Sequence, residues 1–394
     1  TVDLVVKPLI PLVGRSSSWR IDVIRLAASR PGYTGSRSRV LDFYSMSAPS
    51  IVEVDGRKLK LSNLEKILYP DAAFTKGQVV DFYVRIAPVL LPHLAGRPLT
   101  MKRYPEGVDQ EFFFEKNAPL HRPDWVKTAP IWSESNHRTI HFILANDLPT
   151  LVWIANLASI ELHPSLSLAA DIAAPTMIVF DLDPGPPANV VQCAQVGLWV
   201  RAIFDHFGLQ SFPKTSGSKG LQIYVPLNTK TSYDQTKSFA HAVARLLEQE
   251  HPDMVVSDMK KAVRTNRVFV DWSQNDQHKT TISVYSLRAR EQPTVSTPVT
   301  WQEVEQALKR KDAARLVFEA EAVLARVEKL GDLFEPVQKL KQTLPQLAGL
   351  SPESEKERDD NKDDEKTVSV RSRPEARPPA KKKKTIAKAN SKPR

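Results

Sequence analysis

The sequence has almost no cysteine: Cys193 stands alone among 394 residues. No disulfide can close within the chain, and no cysteine-based zinc site can form. Both exclusions fit a reducing, cytoplasmic setting. In the apolar run Val190–Phe207, Cys193 reads as a small buried residue. Long apolar stretches are missing as well. The run from Leu4 to Val13 is broken by Lys7, Pro8 and Pro11, short of the roughly 18–20 residues that span a bilayer. It lacks a small-residue cleavage site and does not read as a signal peptide. There is no His-Glu-x-x-His, no Gly-x-Ser-x-Gly and no Lys-x-Asp-Gly, which disfavours a zinc hydrolase, a serine hydrolase and a nucleotide-activating ligase.

The formal charge of +10 is concentrated at the ends. Residues 1–50 carry +4, residues 353–366 carry −4 and residues 371–394 carry +9, leaving +1 for everything else. The basic balance favours contact with a polyanion. Three regions follow. Residues 1–50, interrupted by Ser16–Ser18, Arg30–Gly32 and Gly35–Arg39, read as a poorly structured extension, with Met46 a sensible true start. Residues 51–348 read as the folded domain. Residues 349–394 have no apolar periodicity and read as a disordered, Lys-rich tail. That tail reads either as a salt-sensitive contact for a polyanion or as a solvated tail without a role.

Within the folded part, Ile51–Leu61 around Asp55-Gly56 predicts a hairpin. Ser62–Tyr69 predicts a capped helical turn, and Thr75 a cap for a helix over Lys76–Leu91. Strands are predicted at Leu99–Arg103, Glu111–Glu115, Met177–Asp183, Gln222–Pro226 and Val268–Asp271. Helices are predicted at Leu148–Ala158, Val190–Phe207, Tyr233–Glu248, Trp301–Ala307 and Ala313–Leu333. The alternation implies an α/β or α+β fold.

Three strand-end elements carry chemistry. In Val179-Phe180-Asp181-Leu182-Asp183-Pro184-Gly185, side chains alternate faces, so both acids point the same way. Paired carboxylates repel unless a cation neutralises them, and hard divalent ions take such ligands. Lys214-Thr215-Ser216-Gly217-Ser218-Lys219-Gly220 offers backbone N–H groups, hydroxyls and an amine to a phosphate, although it lacks Walker A spacing. Arg267–Asp271 is a second hydrophobic strand ending in an acid. A third carboxylate meeting the first two would complete a ligand set for two-metal phosphoryl transfer. His163, alone, reads as a structural histidine. Lys102-Arg103-Tyr104 and Phe112-Phe113-Phe114 interleave cations with aromatics, as single-strand binders do. At least one of those phenylalanines must face a core. Asn63, Lys66 and Lys76 are placed at helix starts, where N–H groups favour anions.

Taken together, LSNLEKILYP, KRYPEGVDQEFFFEKNAP, IELHP, FDLDPG, KTSGSKG, VFVDWSQN, KTTISVYSLRAR and LGDLFEPVQKLKQTLP give a resemblance over about Val52–Ala348. The chain resembles the polymerase domain of bacterial ATP-dependent DNA ligase D, of the archaeo-eukaryotic primase superfamily. The resemblance implies a mainly antiparallel catalytic sheet flanked by helices, with a second α/β part. It implies that Asp181, Asp183 and Asp271 are catalytic and bind two Mn²⁺ or Mg²⁺ ions. His163, Ser216, Lys219, Gly220 and Arg288 would hold a triphosphate, with Gln274 close by, and Lys102 and Arg103 would line the nucleotide and template pocket. Phe113 or Phe114 would stack on the template base. Asn63, Lys66 and Lys76 would grip a 5′-phosphate, and Arg264 would sit on a mobile loop. The implied reaction is addition of NTP or dNTP to a primer 3′-OH at DNA ends and gaps, in non-homologous end joining with Ku and a ligase. The alternatives are a primase that starts chains de novo and a non-catalytic end-binding module. Two departures stand out: Ser165 replaces the Trp that usually follows His-Pro, and Gln222 replaces the usual His after the SGSKG loop.

Overall fold

The computed structural model describes residues 50–345. The readings for residues 1–49, Met46 included, and for residues 346–394 lie outside the described residues. Ser50, placed in the extension by sequence, opens the first strand.

Two five-stranded sheets position everything that follows. In the first, the strands Phe113–Glu115, Leu99–Arg103, Arg138–Ile143 and Thr128–Ser133 lie in that order, and Ser159–Pro164 also pairs with Leu99–Arg103. All its pairings are antiparallel. Leu99, Met101, Ile160 and Leu162 enter the core beneath helices α1 (Lys76–Leu94) and α2 (Leu148–Asn156). Strand alternation therefore puts Thr100, Lys102, Glu161 and His163 together on the opposite face.

The second sheet runs Phe212–Thr215, Leu221–Pro226, Met177–Pro184, Val268–Asp271, Val255–Val256. It is antiparallel except for its last pair. Helices α3 (Val190–His206), α4 (Tyr233–Glu250) and α5 (Trp301–Arg310) cover one face. Ile178, Phe180, Leu182, Leu221, Ile223, Val268 and Val270 all point into that helical core, with Cys193 buried among them. Each such side chain contributes about 1.5–3 kcal/mol by leaving water. Because these alternate residues are committed to the core, Asp181, Asp183, Gln222 and Asp271 must take the other face.

The helices begin where cap chemistry dictates. Reciprocal capping boxes join Thr75 with Gln78, Asn189 with Gln192, Ser232 with Gln235 and Thr300 with Glu303. Two expectations need correction. Ser62–Tyr69 is a turn leading into the strand Ile67–Tyr69, which pairs with Phe74–Thr75; only Lys76 sits at a helix start. The helix expected over Ala313–Leu333 is broken into a 3₁₀ turn, Ala313–Leu316, and helix α6, Ala320–Leu330. The extended residue Val317, at φ −116°, ends the first piece.

Candidate active site

Asp181 and Asp271 are direct cross-strand partners, and Asp183 lies two residues along from Asp181. Directly opposed residues share a face, as do i and i+2. Asp271, 90 residues beyond Asp181 in sequence, is thus brought by register to the sheet face that Asp181 and Asp183 share. Burial first, then the charges of Asp183 and Asp271, push the Asp181 carboxyl up to about 8. Asp183 is raised by burial and by Asp271. Oδ1 of Asp181 is buried and has no hydrogen-bond partner. A stranded acceptor among repelling carboxylates is the donor set a hard divalent cation satisfies.

The side chains as placed do not close around one point. Among the described residues, no group of three or more His, Cys, Asp or Glu is gathered for a metal ion. The Asp271 carboxylate is turned aside to cap its own 3₁₀ turn. It accepts from Ser273 N at 3.0 Å, Ser273 Oγ at 2.5 Å and Gln274 Nε2 at 3.0 Å. Lys279 Nζ in turn donates to Ser273 Oγ. Asn275, fully buried, bonds both Val179 N and Val179 O at 2.9 and 2.8 Å, which pins this turn to the Asp181 strand. The donor types and the shared face fit a cation pair, while the Asp271 carboxylate is engaged by Ser273 and Gln274.

The Lys214–Gly220 loop, where the sequence predicts a phosphate cradle, packs beside the acids. Ser216 Oγ accepts from Ser218 N and Gly220 N at 3.2 and 3.1 Å, which rounds the backbone into a loop. Gly217 has φ +68°, and a Cβ there would meet Val295 at 2.6 Å. A Cβ on Gly220 would sit 2.2 Å from the Leu182 carbonyl oxygen, with Asp183 Oδ1 at 3.6 Å. Gly220→Ala is therefore expected to force the loop off the sheet, costing about 1–3 kcal/mol by overpacking and depressing nucleotide affinity. Thermal melting and a nucleotide titration check both effects. Lys219 is exposed at the loop tip.

Glu161, which the sequence reading left without a role, organises the opposite wall. Its side chain is 3% exposed. It accepts from His163 Nε2 at 3.0 Å, Arg288 Nε at 3.3 Å and Ala289 N at 3.1 Å, with Lys102 Nζ at 4.0 Å. Burial alone would raise the Glu161 carboxyl, but the His163 hydrogen bond and the Arg288, His163 and Lys102 charges hold it far below the usual range. Burial lowers the His163 pKa despite Glu161. Arg288 also donates to Ser216 O at 2.8 Å, so one guanidinium ties the first sheet to the cradle loop of the second. Lys102, His163 and Arg288 thus gather on Glu161, and Arg288 reaches Ser216; the charges of Arg264 and Arg288 oppose, without cancelling, the upward shift of the Asp183 carboxyl. Arg264 stacks over Phe269 at 3.7 Å and contacts the Met259 carbonyl.

The aromatic run divides by face. Lys102 Nζ lies over Phe112 at 4.0 Å and Phe114 at 5.4 Å, and Phe114 meets His163 edge-on at 6.0 Å. Phe113 turns to the other side, under Arg103 at 5.0 Å. Phe112 and Phe114 are about half exposed, so these two rings face the Lys102 side. Arg103 faces away from Lys102: it pairs with Glu115 at 2.9 Å and donates to Leu157 O. It lies near Lys76 and Lys66 instead. Burial first, then the charges of Lys66 and Arg103, lower the Lys76 amine to about 8. Lys76 Nζ donates to Ser62 O, Lys66 pairs with Glu106, and Asn63 turns the chain between them at φ +54°.

The class to which this two-sheet fold corresponds is the primase-polymerase domain. The family profile described as "LigD, primase-polymerase domain" matches residues 75–334, and the chain belongs to that family. It is 41% identical over 282 residues to the Mycolicibacterium smegmatis multifunctional non-homologous end joining protein LigD, covering 71% of this chain and 36% of that protein. To the Bacillus subtilis bifunctional protein LigD it is 30% identical over 275 residues, covering 70% of this chain and 43% of the relative. The chain therefore spans less than half the length of these relatives. The solved polymerase domain from Mycobacterium tuberculosis ligase D in complex with DNA superposes with a TM-score of 0.66 at 40% identity, over 71% of this chain and 98% of that one.

Proposed function

We propose that this domain extends a primer 3′-OH at DNA ends and gaps with NTPs or dNTPs by metal-dependent nucleotidyl transfer. The reading rests above all on register: Asp181 and Asp271 face each other across two strands, with Asp183 beside them. When bound, two divalent cations would activate the 3′-OH and neutralise charge building on the α-phosphate and pyrophosphate. Asp181 and Asp183 would hold both ions and Asp271 the one nearer the primer; Mn²⁺ and Mg²⁺ both suit oxygen donors.

The remaining steps belong to the chain's own side chains. The Ser216–Gly220 backbone, Lys219, His163 and Arg288 hold the triphosphate, and Gln274 sits against Asp271. Lys102 carries the nucleotide face of the first sheet. Phe114, half exposed beside His163, supplies the stacking surface for a template base. Arg264 flanks Asp183 on the adjoining loop. The names of its relatives, non-homologous end joining proteins, support a role in bacterial end joining, in which Ku and a DNA ligase would be its partners. The same reading puts its work at the nucleoid in the cytoplasm. No described helix is long and apolar enough to cross a membrane.

Asn63, Lys66, Lys76 and Arg103 form a second, separate cationic patch, suited to a downstream 5′-phosphate. Its pH response follows from Lys76. The amine is charged below about 8 and neutral above, so the affinity that a 5′-phosphate adds is expected to fall as pH rises through and beyond that value. Fluorescence anisotropy with gapped DNA, with and without the phosphate, between pH 7 and 9.5 (a span of roughly one pKa unit on either side) measures it. Lys76→Met should erase the phosphate-dependent increment at every pH.

One gap-filling assay tests the whole reading. It compares ribo- with deoxynucleotides, Mn²⁺ with Mg²⁺, and gaps with and without a 5′-phosphate. Products on a template lacking any primer would instead favour de novo priming, and DNA binding with no extension under every condition would favour an end-binding module.

A further inference from the structure

We propose that Gln222, locked in one orientation by the buried Lys214, is a positioning residue that aims the Asp181 carboxylate. The proposal deepens the nucleotidyl-transfer reading and depends on Asp181 being a cation ligand.

The pairing register draws one straight row across the second sheet. Lys214 opposes Gln222, Gln222 opposes Asp181, and Asp181 opposes Asp271. Opposed residues share a face, so four polar side chains run in line away from the helical core. Lys214 is fully buried and Gln222 is 2% exposed. Lys214 Nζ donates to Gln222 Oε1 and to Ser296 Oγ, each at 2.6 Å. Among the described residues it forms no ion pair. A buried amine without a carboxylate partner is costly, and burial pushes its pKa well down, with Asp181 pulling the other way.

That cost has a structural result. With its amine donating to two oxygens, Lys214 meets the oxygen end of the Gln222 amide. The Gln222 NH₂ is left to face Thr281 Oγ1 at 3.3 Å and the Asp181 carboxylate, whose charged form it favours. It stops short of a hydrogen bond to Asp181 Oδ1, which stays free. Reversed, the amide would turn its oxygen on the carboxylate and repel it. Lys214 thus fixes the polarity of Gln222, and Gln222 presents a donor to Asp181 while leaving the buried Oδ1 without a partner. A histidine at this position would have the same capacity: one ring nitrogen accepts, the other donates.

The test is binding of Mn²⁺ alone to the full chain, followed by electron paramagnetic resonance of the free ion. Gln222→Leu, Gln222→His, Lys214→Met and Asp181→Asn are compared, with thermal melting to show folding. Gln222→Leu is expected to weaken Mn²⁺ binding by about 10–100-fold, the usual effect of losing a residue that orients a ligand. Gln222→His should restore most of it, and extension by Gln222→Leu should recover at high Mn²⁺. Should Lys214→Met fail to fold, the Leu and His pair at position 222 still decides. Folded Gln222→Leu protein that binds Mn²⁺ like wild type, while Asp181→Asn does not, overturns the positioning role alone. Undiminished binding by Asp181→Asn overturns the metal reading beneath it.

Discussion

Asp181→Asn is expected to abolish primer extension, by at least about 10²–10³-fold, the scale of removing one strong electrostatic stabiliser from an active site. DNA binding should survive. Asn preserves shape and one acceptor oxygen but removes the charge that makes the pair with Asp183 repulsive. Because Asp181 is raised to about 8 by burial and its two neighbours, its removal relieves the folded protein of an awkward acid. Stability should therefore hold or rise while activity vanishes. That combination separates a catalytic ligand from a structural one: a merely structural aspartate, once lost, would lower the melting temperature along with the rate. Extension kinetics, gapped-DNA anisotropy and a melting curve on the same preparation supply the three readings.

Glu161→Ala should give the opposite pattern, a large loss of stability. It leaves Arg288 and Lys102 without their buried counter-ion and His163 without its acceptor. Breaking a buried ion pair from one side typically costs about 3–5 kcal/mol. The sign with pH follows from the depressed carboxyl. A carboxylate whose folded pKa lies below its unfolded value, near about 4.3, stabilises fully above that value. The contribution is lost as pH falls toward the folded one. Near neutrality wild type keeps the whole contribution, and the variant lacks it. A triphosphate can stand in for the missing charge, so ATP should raise the melting temperature of Glu161→Ala by more than that of wild type. An equal shift in both proteins would remove Glu161 from the nucleotide wall.

The two sites differ in how plainly the sequence announced them. Strand alternation alone put Asp181 and Asp183 on one face, and Val268–Asp271 kept its predicted bounds, because hydrophobic runs ended by acids and turn residues leave little choice. The pairing of Asp181 with Asp271 is a long-range register that no local pattern encodes; the family resemblance implied only that the two share a metal site. Glu161 lay hidden because Ile160 and Leu162 make the run look like plain core. The available signal was its i, i+2 spacing to His163, which on a strand means one face. Lys214 and Gln222 read as parts of a loop motif, and only the sheet order makes them neighbours of Asp181. The hairpin Thr128–Ile143 was missed because exposed polar residues and Pro130 blur its alternation. The expected helix across Ala313–Leu333 failed where Phe318 and Glu319 leave the helical path to meet Val295 and Thr294.

The most direct test of the central claim is a crystal structure grown with Mn²⁺ and a non-hydrolysable NTP, with anomalous diffraction recorded at the manganese edge. The account predicts two anomalous peaks between the Asp181, Asp183 and Asp271 carboxylates, with Asp271 swung off Ser273. Manganese bound elsewhere, or Asp271 still capping its turn with no ion beside it, would contradict the account.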